Sequence, residues 1–223
     1  MTASKNTLIA ALALWATGSA MALGTVEMQF SAAQPGQVAL STSGTDDYDT
    51  GALQYTTRGG KSFLAYCVEL AQDHSEAGDG FQTFTIGSFS GRQASALQGL
   101  FSSSYASVTT TTQQAAFQTA IWEITHETKS AVFSVTPGNG DFSFESLTNG
   151  SASDNAGFVS LVNGYLNSAV NYKGAELYTI NKLSSANFQD LVSATPVPEP
   201  TSYALMLAGL AVVGFLSKRR QSR

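Results

Sequence analysis

Two apolar runs, each with its cations on the outer side, close the ends of this chain and leave only the stretch between them to build a core. The first, Leu8 to Trp15, follows Lys5 and leads to the small-residue exit Ala20-Met21-Ala22. A charged start, a short apolar run and a small-residue exit are the parts of a secretory signal, so residues 1–22 are expected to be cut away after Ala22. That run is too short for the roughly 30 Å of hydrocarbon a membrane anchor must cross. The second run, Tyr203 to Leu216, stands between Val197-Pro198-Glu199-Pro200 and Lys218-Arg219-Arg220. It is of marginal length for a span, and the cations behind it would hold its far end on the cytoplasmic side. The organisation expected is a signal at 1–22, a folded body at 23–192, a linker at 193–202, and an apolar helix with a basic tail at 203–223.

Charge narrows what the body can do. Residues 23 to 197 carry six bases (Arg58, Lys61, Arg92, Lys129, Lys173 and Lys182) against fifteen acids, a net of −9. Such a surface repels a phosphate backbone, which excludes nucleic acid as a partner. Charged residues make up only 12% of the chain and hydrophobic ones 43%, far from the composition of a charged, disordered segment.

The hydrophobic period changes along the body. Val26, Met28 and Phe30 alternate with polar residues, and clusters such as Arg58-Gly59-Gly60-Lys61 punctuate the region up to residue 90, as turns between strands do. Ser62 to Leu70 reads as a central strand. From Gly91 the spacing of Ala94, Leu97, Leu100 and Phe101 is helical, and Gln113 to Thr128 reads as a second, amphipathic helix with an N-cap among Thr109 to Thr112. Val132–Val135 and Asp141–Phe144 are expected to form a hairpin around Pro137-Gly138-Asn139-Gly140. A helix from Asn155 to Val170 and a strand from Glu176 to Ile180 complete an α+β fold, a mostly antiparallel β-body with an inserted helical lobe.

The three-part tail, Pro198-Glu199-Pro200, an apolar segment and a cationic end with Arg219 and Arg220, resembles the PEP-CTERM sorting domain. The resemblance implies export in a Gram-negative bacterium, processing by an exosortase at the inner membrane, and delivery to the outer surface or an extracellular, biofilm-like matrix.

Cys67 is the only cysteine, so an exported monomer cannot place it in an internal disulfide. It follows Tyr66 in Tyr66-Cys67-Val68-Glu69-Leu70, and fifty-one residues on stands Phe117-Gln118-Thr119-Ala120-Ile121-Trp122. These segments resemble the paired motifs of bacterial surface thioester domains. The resemblance implies that Cys67 supplies the sulfur and Gln118 the acyl carbon of an internal thioester. A carboxamide is a poor electrophile, so the two groups react only when packing holds them together and keeps water out. Tyr66, Ile121 and Trp122 are the packing residues, with Trp122 one helical turn from Gln118. Glu69, two positions along the same strand side as Cys67, is a candidate assisting group, although a structural role is the simpler reading. The thioester would be opened once by an amine- or hydroxyl-bearing target, which is adhesion rather than enzymatic turnover, and needs no cofactor.

Two other readings stay open: a passive matrix protein with a free Cys67 thiol, and a noncovalent carbohydrate-binding module stacking sugars on Tyr48, Tyr55, Phe81 and Phe84. A hydrolase dyad of Cys67 with His74 or His126 has no accompanying signature; His126 and the Glu123/Glu127 pair are expected on a solvated helix face. The loop acids Asp46, Asp47, Asp49 and Asp73, Glu76, Asp79 lack the twelve-residue calcium pattern, and no spacing suggests zinc, so no metal is expected.

Overall fold

The computed structural model describes residues 24–33, 38–42, 45–128, 130–198, 206 and 208–211. The expected signal at 1–22 and most of the tail, including Glu199, Pro200, Arg219 and Arg220, lie outside the described residues. Alternating patterning in the first third produces β1 (Thr25–Ala33), β2 (Val38–Thr42), β3 (Thr45–Thr50), β4 (Leu53–Thr57), β5 (Ser62–Cys67) and β6 (Gln82–Gly87). There follow α1 (Gly91–Ser104), α2 (Thr111–His126), β7 (Phe144–Leu147), α3 (Ala152–Asn171), β8 (Tyr178–Ser184) and β9 (Leu191–Pro196).

Six strands close into a barrel in the order β1-β4-β5-β9-β8-β6, and β3-β2-β7 form a separate small sheet. Every pairing is antiparallel. Closure leaves the barrel without an exposed edge. Because β6 pairs directly with β8, the three helices and β7 between them form a lobe inserted into the barrel, and the α+β class holds. Met28, Tyr55, Ala65, Phe84 and Leu191 are fully buried in the barrel strands. An aromatic cluster continues that core into the lobe: Phe117 lies 5.0 Å from Phe101, 5.2 Å from Tyr66 and 5.9 Å from Tyr165, ring centre to ring centre.

Local chemistry sets the helix starts. Thr110 accepts a hydrogen bond from Gln113 N while the Gln113 side chain accepts one from Thr110 N, and Ser151 and Asp154 make the same reciprocal cap for α3. Helix α1 packs tightly on α3 because Gly99 has no side chain; a Cβ there would overlap the Ala169 carbonyl.

Helix α2 is not amphipathic: Ala115 through Ile124 are all buried, packed on α3 most of all and also on α1, β5, β3 and β2. A helix enclosed on every side is central to its fold. Two further expectations are corrected. Val132–Val135 forms no strand; only a turn at Thr136–Asn139 and one bond from Phe144 N to Val135 O remain of the hairpin, because β7 pairs with β2 instead. The linker was expected from residue 193, yet β9 runs to Pro196 between β5 and β8. Among the described residues no helix is long and apolar enough to cross a membrane, and the expected apolar segment at 203–216 lies mostly outside them.

Candidate functional site

Strand β4 begins at Leu53, opposite Ala65, so Cys67 stands two residues beyond the end of the β4–β5 ladder. On its other side β5 continues along β9, with Cys67 opposite Leu191 and Val68 N donating to Asp190 O at 2.9 Å. The vacated side is filled by a side chain. Cys67 N donates to Gln118 Oε1 at 2.8 Å, and Gln118 Nε2 donates to Cys67 O at 2.7 Å. The carboxamide thus imitates the missing strand residue, one acceptor and one donor against one N–H and one C=O. Gln118 is only 1% exposed, and a buried amide must be satisfied in this way or cost several kcal/mol, on the order of 1–3 for each lost partner.

Cys67 is the end of a buried run on β5, behind Ala65 and Tyr66. Burial pushes its thiol up to about 12, so at neutral pH it is a thiol and not a thiolate. That is the reverse of the electropositive, half-exposed setting of a hydrolytic cysteine. Neither histidine supplies a base for it. His74 stacks on Phe30 at 5.0 Å with Nδ1 beside Ser75 O, and half-buried His126 has Nδ1 3.0 Å from Trp122 O, against Phe142.

The other expected residues sort themselves by location. Tyr66 is buried against Phe101, Tyr105 and Phe117, and Ile121 is fully buried. Trp122 is 2% exposed, 5.5 Å from Tyr48 and 6.4 Å from Phe142. Glu69 lies just past the end of β5, where its Oε1 accepts from Asp190 N at 2.9 Å, so its carboxylate ties β5 to the start of β9. The sugar-stacking surface does not form: Tyr55 and Phe84 are fully buried, and Phe81 lies under the Arg58 guanidinium. No group of three or more potential metal ligands occurs among the described residues.

Glu123 and Glu127 are not on a solvated face. Glu123 is fully buried, its Oε1 accepting from Ser134 N at 2.7 Å, and Glu127 accepts from Ser130 N at 2.5 Å and Asp141 N at 2.7 Å. Gly140 is required beside it, since φ there is +79° and a Cβ would overlap the Glu127 carboxylate. Burial, the leading cause, together with the nearby Glu127, raises Glu123 to about 8, against the lowering effects of Ser134 N and Arg92. Two acids one turn apart at a helix end, followed by a Gly-rich loop, were the available signal: they accept the backbone N–H groups of the loop that folds over them.

Residues 196–220 match the PEP-CTERM protein-sorting motif. No match is found among curated proteins. Among solved structures, the chain is similar to the N-terminal domain of the Streptococcus pyogenes pilus tip adhesin Cpa, with 15% identity over 78% of this chain and 94% of that one and a TM-score of 0.46. It is also similar to the N-terminal thioester domain of the fibronectin-binding protein SfbI from the same species, at 16% identity, 76% and 98% coverage and a TM-score of 0.42. A third is the N-terminal thioester domain of a Clostridium perfringens surface protein, at 14% identity, 78% and 100% coverage and a TM-score of 0.42.

Proposed function

We propose that this is an exported surface or matrix protein that attaches covalently to its target through a thioester between Cys67 and Gln118. The observation that supports the reading is the buried two-point clamp of the Gln118 amide on the backbone of Cys67, the residue that carries the thiol. The PEP-CTERM motif at 196–220 supports delivery to the envelope and processing by an exosortase.

The chemistry balances within the site. Cys67 Sγ adds to Gln118 Cδ, the new S–C bond forms as the Cδ–Nε2 bond breaks, and the thiol proton leaves with Nε2 as ammonia. The N–H of Cys67, 2.8 Å from Oε1, polarises the carbonyl and stabilises the negative charge that grows on it. An incoming amine or hydroxyl then displaces Sγ, leaving an amide or ester on Gln118 and a free thiol on Cys67. Nothing regenerates the bond, so each molecule acts once.

The test is the intact mass of the purified protein with and without methylamine, beside Cys67→Ala. A mass one ammonia short, rising by one methylamine on treatment and complete in Cys67→Ala, establishes the bond. A complete wild-type mass overturns it and leaves Gln118 as a buried amide completing a strand, in a noncovalent matrix protein.

A further inference from the structure

A second place in the molecule has the make-up of a binding site and no part in the thioester chemistry. Between α1, α3 and the segment 131–134 lies a cleft of about 540 Å³, within the range of roughly 300–1,000 Å³ usual for small-molecule sites. Its walls include Ala96, Leu166 and Ala169, and two valines stand exposed at it, Val132 at 68% and Val170 at 48%. Arg92 and Lys173 line it, two of the six bases in a body of net −9, and no acid does. Elsewhere Arg58 is paired with Glu27 and Lys182 with Asp190. Arg92 is preset: it lies 3.6 Å over the Phe133 ring and donates to Ser130 O and Ala131 O, with further guanidinium N–H groups left over. Glu123, whose titration Arg92 influences, is buried beneath the loop through its bond to Ser134 N and does not line the cleft.

The lining also indicates which anion fits. A sugar acid needs partners for its hydroxyls, yet each neutral polar side chain of the lining is already engaged within the protein: Ser95 Oγ with Gly91 O, Ser134 Oγ with Thr136, Asn163 with Val135 N and Thr136, Asn167 Oδ1 with Asn171 Nδ2, and Tyr172 OH with Ala175 O. Of the two aromatic rings in the lining, Phe133 is covered by Arg92 and Tyr172 is turned by its hydroxyl to Ala175 O. What remains is aliphatic surface and two cations. We propose that this cleft binds a small aliphatic carboxylate, its chain along the Ala96–Leu166–Val170 wall and its head between Arg92 and Lys173, the guanidinium fork suiting a carboxylate's two oxygens.

The experiment is calorimetric titration of the purified protein with octanoate, octanol and glucuronate in parallel, repeated on Lys173→Glu and on Ala96→Phe, which fills the cleft. Lys173 is exposed, so its replacement leaves folding intact, read as an unchanged melting temperature. Saturable octanoate binding is expected, with octanol and glucuronate at least about tenfold weaker and octanoate weakened about tenfold in both variants. Absence of octanoate binding, equal binding of glucuronate or octanol, or full affinity in both variants each overturns the assignment. The outcome is independent of whether the thioester forms, since the mass measurement reads that separately.

Discussion

Replacing Cys67 by alanine removes one sulfur from a buried strand end, and the stability lost with it depends on whether that sulfur is bonded to Gln118. A lone buried thiol contributes packing worth about 1 kcal/mol. A cross-link between positions separated by 51 residues also restricts the unfolded chain, and the loop-entropy relation used for disulfides gives about 4 kcal/mol for a ring of that size. Urea unfolding of wild type and Cys67→Ala is therefore expected to differ by about 5 kcal/mol, and a difference near 1 would mean that the bond is absent. Gln118→Ala strikes the same place from the other side. Without the cross-link it leaves both the N–H and the C=O of Cys67 without their partners and is expected to cost about 2–4 kcal/mol; with the cross-link, where Nε2 has already left, it costs the cross-link and the single acceptor of the N–H, about 1–3 kcal/mol more.

The segment that follows α2 is held down by buried acids, which makes its attachment sensitive to pH. Glu123 sits at about 8 in the folded protein against its ordinary 4.5, so between those values the native state keeps a proton that the unfolded chain has released. Stability from this group is complete below about pH 4.5 and is lost as pH rises toward 8, by up to about 5 kcal/mol. Glu123→Gln keeps an acceptor for Ser134 N and removes the ionisation, so its melting temperature is expected to vary less from pH 5 to 8 than that of wild type. Equal slopes in the two proteins would assign the pH dependence to other groups. Taken alone, Glu123-Ile124-Thr125-His126-Glu127 has acids at helical spacing that look like any solvated face, and only the Gly-rich loop after it signals the N–H groups they accept. What was legible depended on short-range signals. The period of α1 and the cap Thr110 announce their helices within one turn of chain, whereas the reading missed the cap Ser151 and α3 begins at Ala152, ahead of the expected Asn155. The Cys67–Gln118 pair was found through two motifs, each local to its own element. Where the partner is remote the reading failed: β7 finds β2 about a hundred residues away, and β9 is a strand because β5 and β8 flank it.

That last dependence shapes the whole molecule. The barrel is closed by β9, the only described strand joining β5 to β8, and β9 ends at Pro196, where the sorting motif begins. Sheet closure and sorting signal therefore meet with no spacer between them. Beyond Pro196 the body retains one further backbone bond, Val197 N to Leu177 O at 2.9 Å. A chain ended after residue 197 keeps every barrel pairing and is expected to melt within a few degrees of the longer protein, in one cooperative transition. A chain ended at residue 190 loses β9, opens β5 and β8 as bare edges, and strips Cys67 of the strand that supports it opposite Gln118. It is expected to aggregate and to show no methylamine adduct. If the 190-residue chain instead remained soluble with the native melting temperature, barrel closure would have no part in holding the Cys67–Gln118 site. A cut that left β9 whole would have to fall on the C-terminal side of Pro196, the side on which the Pro-Glu-Pro sequence lies.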